Sequence, residues 1–167
     1  MDYTIRVATE EDVELLTSLI RTAFRDVAEC FNLTPENCPT HPSNCTLDWI
    51  RSALQKGAFY FILESHKEPC GCVALERVNS DLCYLERLAV LPAFRERGFG
   101  KALVKHTLDQ ARALGVKNME IGVISDQKEL EDWYNRLGFV TKGKGRFKHL
   151  PFEVTFMRKC VSNTNAL

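Results

Sequence analysis

Apolar and polar positions alternate along Tyr3 to Val7, and this two-residue period predicts a short strand. The period then lengthens. Val13, Leu16, Leu19, Ile20 and Ala23 recur at helical spacing, and Thr9 with Asp12 makes a capping-box-like start, so a helix is predicted through about Phe24. Residues 31–46 hold three prolines and predict a loop. Thr46 caps a short helix over residues 47–56, with Gly57 just past its end. Strands are predicted over residues 58–64, 70–78 and 82–90, joined by turns at His66-Lys67-Glu68-Pro69 and Asn79-Ser80-Asp81. A helix over 99–114 stops at Gly115, a strand covers 117–124, and a helix over 127–137 stops at Gly138. Phe139 to Thr141 opens a strand, Gly143-Lys144-Gly145 predicts a turn, and 152–157 predicts the last strand.

The resulting order, βααβββαβαββ, predicts an α+β domain in three layers, α/β/α, around a sheet of about seven strands. There is no repeat and no linker-like stretch, so one domain is expected over residues 1–160, with a loose polar tail over 161–167. Composition adds little. Lys plus Arg and Asp plus Glu are 22 each, so no overall charge argues for nucleic acid or an anionic membrane. The N-terminus lacks the apolar core of a signal peptide, and seven cysteines are an odd number, so a reduced cytoplasmic protein is expected.

One segment carries distinctive chemistry. Arg95-Glu96-Arg97-Gly98-Phe99-Gly100-Lys101 follows the strand ending at Val90 and opens the 99–114 helix. Two glycines two apart let backbone approach a bulky ligand, and unpaired amides at a helix start attract phosphate. Arg95, Arg97 and Lys101 add three cations, so the segment predicts a pyrophosphate cradle. It is not a P-loop, because Arg95 stands where the first glycine belongs and Ala102 stands where Ser or Thr belongs. A dinucleotide fingerprint fails as well, since Leu103 occupies the last glycine position.

The remaining pattern, Arg-x-x-Gly-x-Gly after Leu88-Ala89-Val90-x-Pro92, resembles the acetyl-CoA loop of the GCN5-related N-acetyltransferases. Ile5-Arg6-x-Ala8-Thr9-x-x-Asp12 is similar to that family's opening, and Trp133-Tyr134-Asn135-Arg136-Leu137-Gly138-Phe139 is similar to its late Phe-Tyr-x-x-x-Gly-Phe motif. The resemblance implies a mixed, mostly antiparallel sheet, acetyl-CoA as cofactor, and acetyl transfer to an amine. It implies that the amides from Arg95 to Lys101 hold the pyrophosphate and that Leu88, Ala89 and Val90 meet the pantetheine arm. The Leu88 amide is then the expected oxyanion donor. Where the family often has Asn seven positions before the motif tyrosine, this chain has Gln127, at the position the resemblance assigns to a pantetheine contact.

The amine must lose a proton before it attacks. With a pKa near ~10.4 it is neutral about one time in 2,500 at pH 7, a cost of ~4.6 kcal/mol. Glu86 is the candidate base, in an otherwise apolar strand with Tyr84, Leu88 and Val90 expected on the same face. The alternative is an ion pair with Arg77 or Arg87. Tyr134 is the candidate hydrogen-bond donor to the leaving thiolate, and the alternative is helix core beside Leu130 and Leu137.

For the acceptor, Phe24, Phe31 and Trp49 are the candidate contacts together with Glu86, and Phe147 and His149 are candidates to close the pocket. Cys38-x-x-His41-x-x-x-Cys45 matches no familiar zinc spacing, so no metal is expected. Cys83 offers a covalent route as the lesser enzymatic reading, and a non-catalytic acyl-CoA-binding module is the alternative to an enzyme. A small-molecule amine or a peptide amine both remain open as acceptor, and so does a homodimer.

Overall fold

A computed structural model describes residues 2–161. The strands are β1 (Thr4–Val7), β2 (Phe59–Ser65), β3 (Glu68–Arg77), β4 (Leu82–Val90), β5 (Asn118–Ile124), β6 (Val140–Arg146) and β7 (Glu153–Cys160). The helices are α1 (Val13–Cys30), α2 (Leu47–Gln55), α3 (Phe99–Ala113) and α4 (Lys128–Arg136). All seven strands join one sheet in the order β1-β2-β3-β4-β5-β7-β6. Every neighbouring pair is antiparallel except β4 with β5. The fold is therefore the three-layer α+β arrangement expected from the order of elements.

Helices α1 and α2 cover one face, where Leu16, Ile20 and Ile50 pack on Tyr60, Ile62 and Ala74. Helices α3 and α4 cover the other, where Leu103, Val104 and Tyr134 pack on Leu75, Leu85 and Met119. The capping box at Thr9 forms as read: its hydroxyl accepts from the Glu11 amide, and the Thr9 amide donates to Asp12 Oδ2 at 2.9 Å. Such a cap is worth about 1 kcal/mol. Arg6 then clamps Asp12 through two bonds of 2.8 Å and reaches Glu64 Oε1 at 2.7 Å, tying the helix start to the sheet edge.

Four sequence expectations change. Helix α1 continues past Phe24 to Cys30, because Val27 and Ala28 find a small separate core with Leu33, Cys38 and Ile124. The turn after β2 is only His66-Lys67, both with positive φ (51° and 66°), and Glu68 already pairs with Ser65. Positive φ at both central residues is what a two-residue hairpin with right-handed twist requires. Gly143-Lys144-Gly145 is not a turn: β6 runs through it opposite Phe156, Thr155 and Val154 with an irregularity at Thr141/Gly143. Val161, assigned to the tail, is 1 % exposed and its amide donates to the Lys117 carbonyl at 2.8 Å, so it belongs to the domain. The remaining tail positions, 162–167, lie outside the described residues. No helix among the described residues is long and apolar enough to cross a membrane.

Candidate active site

Strands β4 and β5 pair only at Leu82↔Asn118, Cys83↔Met119 and Tyr84↔Glu120. Beyond that point β4 runs on to Val90 and β5 to Ile124 without pairing, so the sheet opens in a wedge. A cavity of about 600 Å³ fills the wedge. Its walls are Leu85 to Leu88 of β4 and Ile121 to Ile124 of β5, with Phe24 from α1, Tyr134 from α4 and Phe152 ahead of β7. A second cavity of about 450 Å³ lies beside α2, with Trp49, Tyr60 and Glu76 in its wall. Glu86 and Arg87 line both.

A β-bulge makes that double exposure. In the β3/β4 register Ala74 faces Glu86 and Cys72 faces Ala89, so Val73 is opposed by two residues, Arg87 and Leu88. Arg87 takes φ 50°, a left-handed conformation that costs a non-glycine residue roughly 1–2 kcal/mol. The extra residue reverses the alternation of side chains. Cys83 and Leu85 lie on the α3 face, and after the bulge Leu88 and Val90 take over that face while Ala89 turns to α1. The expectation that Tyr84, Glu86, Leu88 and Val90 share one face is therefore wrong. Glu86 lies across the sheet from Leu88, yet both reach the wedge because it is open there.

Glu86 makes no ion pair within 4 Å among the described residues, either with Arg77 or with Arg87, the partners of the alternative reading. Burial raises its pKa, and the charge of Glu76 and a hydrogen bond with it raise it further, against a lowering by Arg87. The guanidinium of Arg87 donates from Nη1 to the Tyr60 hydroxyl and lies over the Trp49 ring at 5.8 Å. Glu120, the other carboxylate of the cavity, is already neutralised by Lys142 and Arg158, each at 2.6 Å. His41 is 6 % exposed, and its Nδ1 accepts from the Ser43 amide at 3.3 Å and lies 2.7 Å from Ser43 Oγ. Nδ1 as acceptor leaves the proton on Nε2, and burial lowers this histidine's pKa, so it stays a neutral donor.

The glycine loop lies where β4 gives way to α3. Glu96 has φ 62° and Gly98 φ 82°, and together they turn the chain into the helix. Among the described residues the amides of Glu96 through Lys101 donate to no protein acceptor, while the Arg95 amide already bonds the Pro92 carbonyl at 3.3 Å. Six amides without a protein acceptor, running from the loop into the first turn of a fifteen-residue helix, suit a diphosphate. A Cβ on Gly98 would meet nothing within 4 Å, so its glycine serves the backbone angle. Gly100 has another reason, since a Cβ there would stand 3.3 Å from the Trp133 ring.

The Arg95 guanidinium, expected as a third cation of the cradle, is held by protein groups. Its Nε donates to the Val90 carbonyl at 3.0 Å, its Nη2 to the Ala23 carbonyl at 2.8 Å, and its Nη1 pairs with Asp26 at 2.5 Å. The side chain locks α1 to the end of β4. Arg97, stacked on Phe94 at 5.3 Å, and Lys101 remain exposed. Phe99 offers only its backbone, because its ring is buried.

Tyr134 is 5 % exposed, with its ring edge-on to Trp133 and Phe139, so the core alternative for it is true of the ring. It also lines the wedge cavity, and its hydroxyl has no hydrogen-bond partner among the described residues. Burial raises its phenol above the ordinary range. Gln127 closes the first turn of α4 through its backbone and lines neither cavity.

Of the acceptor candidates, Phe24 lines the wedge and Trp49 the second cavity, whereas Phe31 packs against the small core below α1 and lines neither. Phe147 and His149 contact each other at 5.9 Å outside both; Leu150 and Phe152 stand in their place. Sequence reading missed these two and Phe156, which carry no signal beyond strand periodicity. Cys83 sits at the closed end of the wedge, where burial pushes its thiol up to about 11.

The profile of the acetyltransferase (GNAT) family matches residues 15–139. The Escherichia coli protein YjgM, described as an uncharacterized N-acetyltransferase, is 31 % identical over 145 residues, spanning 84 % of this chain and 87 % of that one. The structure of yncA from Salmonella typhimurium with its cofactor acetyl-CoA superposes with a TM-score of 0.73 at 21 % identity, over 100 % of this chain and 98 % of that one. The ribosomal-protein-S18-alanine N-acetyltransferase of Escherichia coli superposes at 0.76 with 16 % identity, over 99 % and 97 %.

Proposed function

The chain belongs to the acetyltransferase (GNAT) family and is an N-acetyltransferase, and from that premise we propose that it moves the acetyl group of acetyl-CoA to a primary amine by direct attack in a ternary complex. The observation that carries this reading is the wedge, where Glu86, Leu88 and Tyr134 from three different settings line one cavity. The partnerless amides of residues 96–101 lie at the end of the same strand.

The amides of Glu96 to Lys101 hold the diphosphate, with Arg97 and Lys101 adding charge. The β4 backbone at Leu88, Ala89 and Val90 meets the pantetheine arm. Bound acetyl-CoA supplies an activated acyl group as its thioester. Glu86 takes one proton from the ammonium, directly or through water, and leaves a neutral amine. Its raised pKa narrows the gap of roughly 6 units between an ordinary glutamate and an alkylammonium. The amine nitrogen forms its bond to the acyl carbon, and the Leu88 amide donates to the carbonyl oxygen as charge builds there. The nitrogen would then shed its second proton to water as the carbon–sulfur bond breaks, and Tyr134 would donate a hydrogen bond to the departing thiolate. A phenol is a weaker acid than a thiol, and burial weakens this one further, so Tyr134 stabilises the thiolate without surrendering its proton. The buried, high-pKa thiol of Cys83 is poorly suited to an acyl-enzyme route.

Initial rates with both substrates varied test the mechanism: intersecting double-reciprocal lines are expected, and parallel lines exclude direct transfer. Tyr134→Phe is expected to lower kcat by roughly 10–100-fold with CoA affinity unchanged by calorimetry. If that variant turns over normally, the thiolate role is wrong. A protein that binds CoA but releases no thiol with any amine is a binding module.

A further inference from the structure

Among the described residues, Arg87 is the only lysine or arginine in the wall of the wedge cavity. Its guanidinium makes no ion pair among the described residues; its protein contacts are the Tyr60 hydroxyl and the Trp49 face. Beside it in sequence stands Glu86, a carboxylate that likewise has no cation within 4 Å. In a regular strand these neighbours would point to opposite faces, but the bulge turns both into the same two cavities. The two charges act on each other through space but form no direct ion pair within 4 Å among the described residues, which leaves room for a ligand of the complementary pattern. Burial works against the Arg87 charge, the Tyr60 hydroxyl and the more distant Glu86 offset it, and a bound carboxylate adds the direct partner that the guanidinium lacks.

We propose that the acceptor is a free amino acid, with its ammonium group at Glu86 and its carboxylate on Arg87. This rests on the acetyl-transfer reading and names the substrate class for it. His41 lines the same cavity, and its neutral Nε2–H is the second donor assigned to the carboxylate in this proposal. Phe24, Leu130, Phe152 and Phe156 give the wall a large apolar share, which selects an aliphatic or aromatic side chain. Glu120 does not compete for the ammonium group, because Lys142 and Arg158 already hold it. A peptide N-terminus or a protein lysine lacks the adjacent carboxylate and leaves Arg87 unpaired.

The test compares matched acceptors in a thiol-release assay: L-phenylalanine, L-leucine and L-methionine, each beside its carboxamide and the amine that lacks the carboxyl carbon. A carboxamide's amine loses its proton more readily than the parent amino acid's, so proton chemistry alone favours the amide. Recognition by Arg87 predicts the reverse, with kcat/KM higher for at least one amino acid by roughly 100-fold or more. Arg87→Gln is expected to abolish that preference, mainly through KM, and Arg87→Lys to keep part of it. Should Arg87→Gln fail to fold, the wild-type ratios and Arg87→Lys still decide. Equal rates for acid and amide overturn the proposal. So does turnover of other amines with no amino acid accepted, an outcome that leaves acetyl transfer standing. No CoA binding in calorimetry and no thiol release with any acceptor removes both readings.

Discussion

Replacing Arg95 by alanine separates a structural cation from a phosphate-binding one. The side chain makes three bonds, to the carbonyls of Val90 and Ala23 and to Asp26, at 3.0, 2.8 and 2.5 Å. A charged donor bonding a carbonyl contributes up to 1.5–3 kcal/mol, but partial exposure reduces this to about 1 kcal/mol for each carbonyl here. The Asp26 pair is also partly exposed, at 38 % and 52 % for the two side chains, so it adds at most about 1 kcal/mol. Burial alone would raise the Asp26 pKa, yet it is lowered, because the hydrogen bond and charge of Arg95 outweigh desolvation. The sum is about 3 kcal/mol, which in a domain of this size lowers Tm by roughly 6–12 °C. Thermal unfolding by circular dichroism measures it, and Arg95→Ala with Asp26→Asn in a double-mutant cycle isolates the pair, at roughly 0.2–1 kcal/mol. Arg97→Ala is the contrast: Tm unchanged and CoA affinity reduced by calorimetry. If Arg95→Ala keeps its Tm while losing CoA as Arg97→Ala does, the guanidinium serves phosphate and the reasoning fails.

Three further outcomes are expected. A base with a raised pKa must be ionised to work, so the acidic limb of the kcat/KM profile should lie above the ordinary glutamate range and vanish in Glu86→Gln. The same raised pKa means that ionising Glu86 costs folding stability, a cost absent below its unfolded pKa and complete above its folded one. Glu86→Gln should therefore gain stability relative to wild type as pH rises through that window, by denaturant titration at several pH values; a constant difference contradicts the shift. A Cβ on Gly71 would stand 2.4 Å from the Ala89 carbonyl oxygen, with only backbone to move, whereas one on Gly98 meets nothing and suffers only its positive φ. Gly71→Ala should thus lower Tm by more than Gly98→Ala, whose strain is roughly 1–2 kcal/mol; the opposite ranking would mean that β3 and β4 do not approach so closely.

Much of this protein was legible from local rules. Hydrophobic period, the Thr9 and Thr46 caps and the glycine stops depend on neighbours in sequence, so they yielded the order of all eleven elements and the start of α3 at the glycine loop. The amides of Phe99 to Lys101 follow from the same local logic, because a helix start leaves its first amides without intrahelical partners. What the sequence could not carry were events between distant segments. The bulge at Arg87 changes which face each β4 residue takes, and period-two reading has no way to count the extra residue. The wedge exists because β4 and β5 stop pairing after Tyr84 and Glu120, a divergence of two strands separated by a helix. Arg95 looks like a phosphate ligand until α1, some seventy positions away, presents Asp26 and a carbonyl to it. Local periodicity determined the elements of this acetyltransferase; tertiary contact alone decided which charges stayed unpaired, because a charge's partner is set by distance in space and not along the chain.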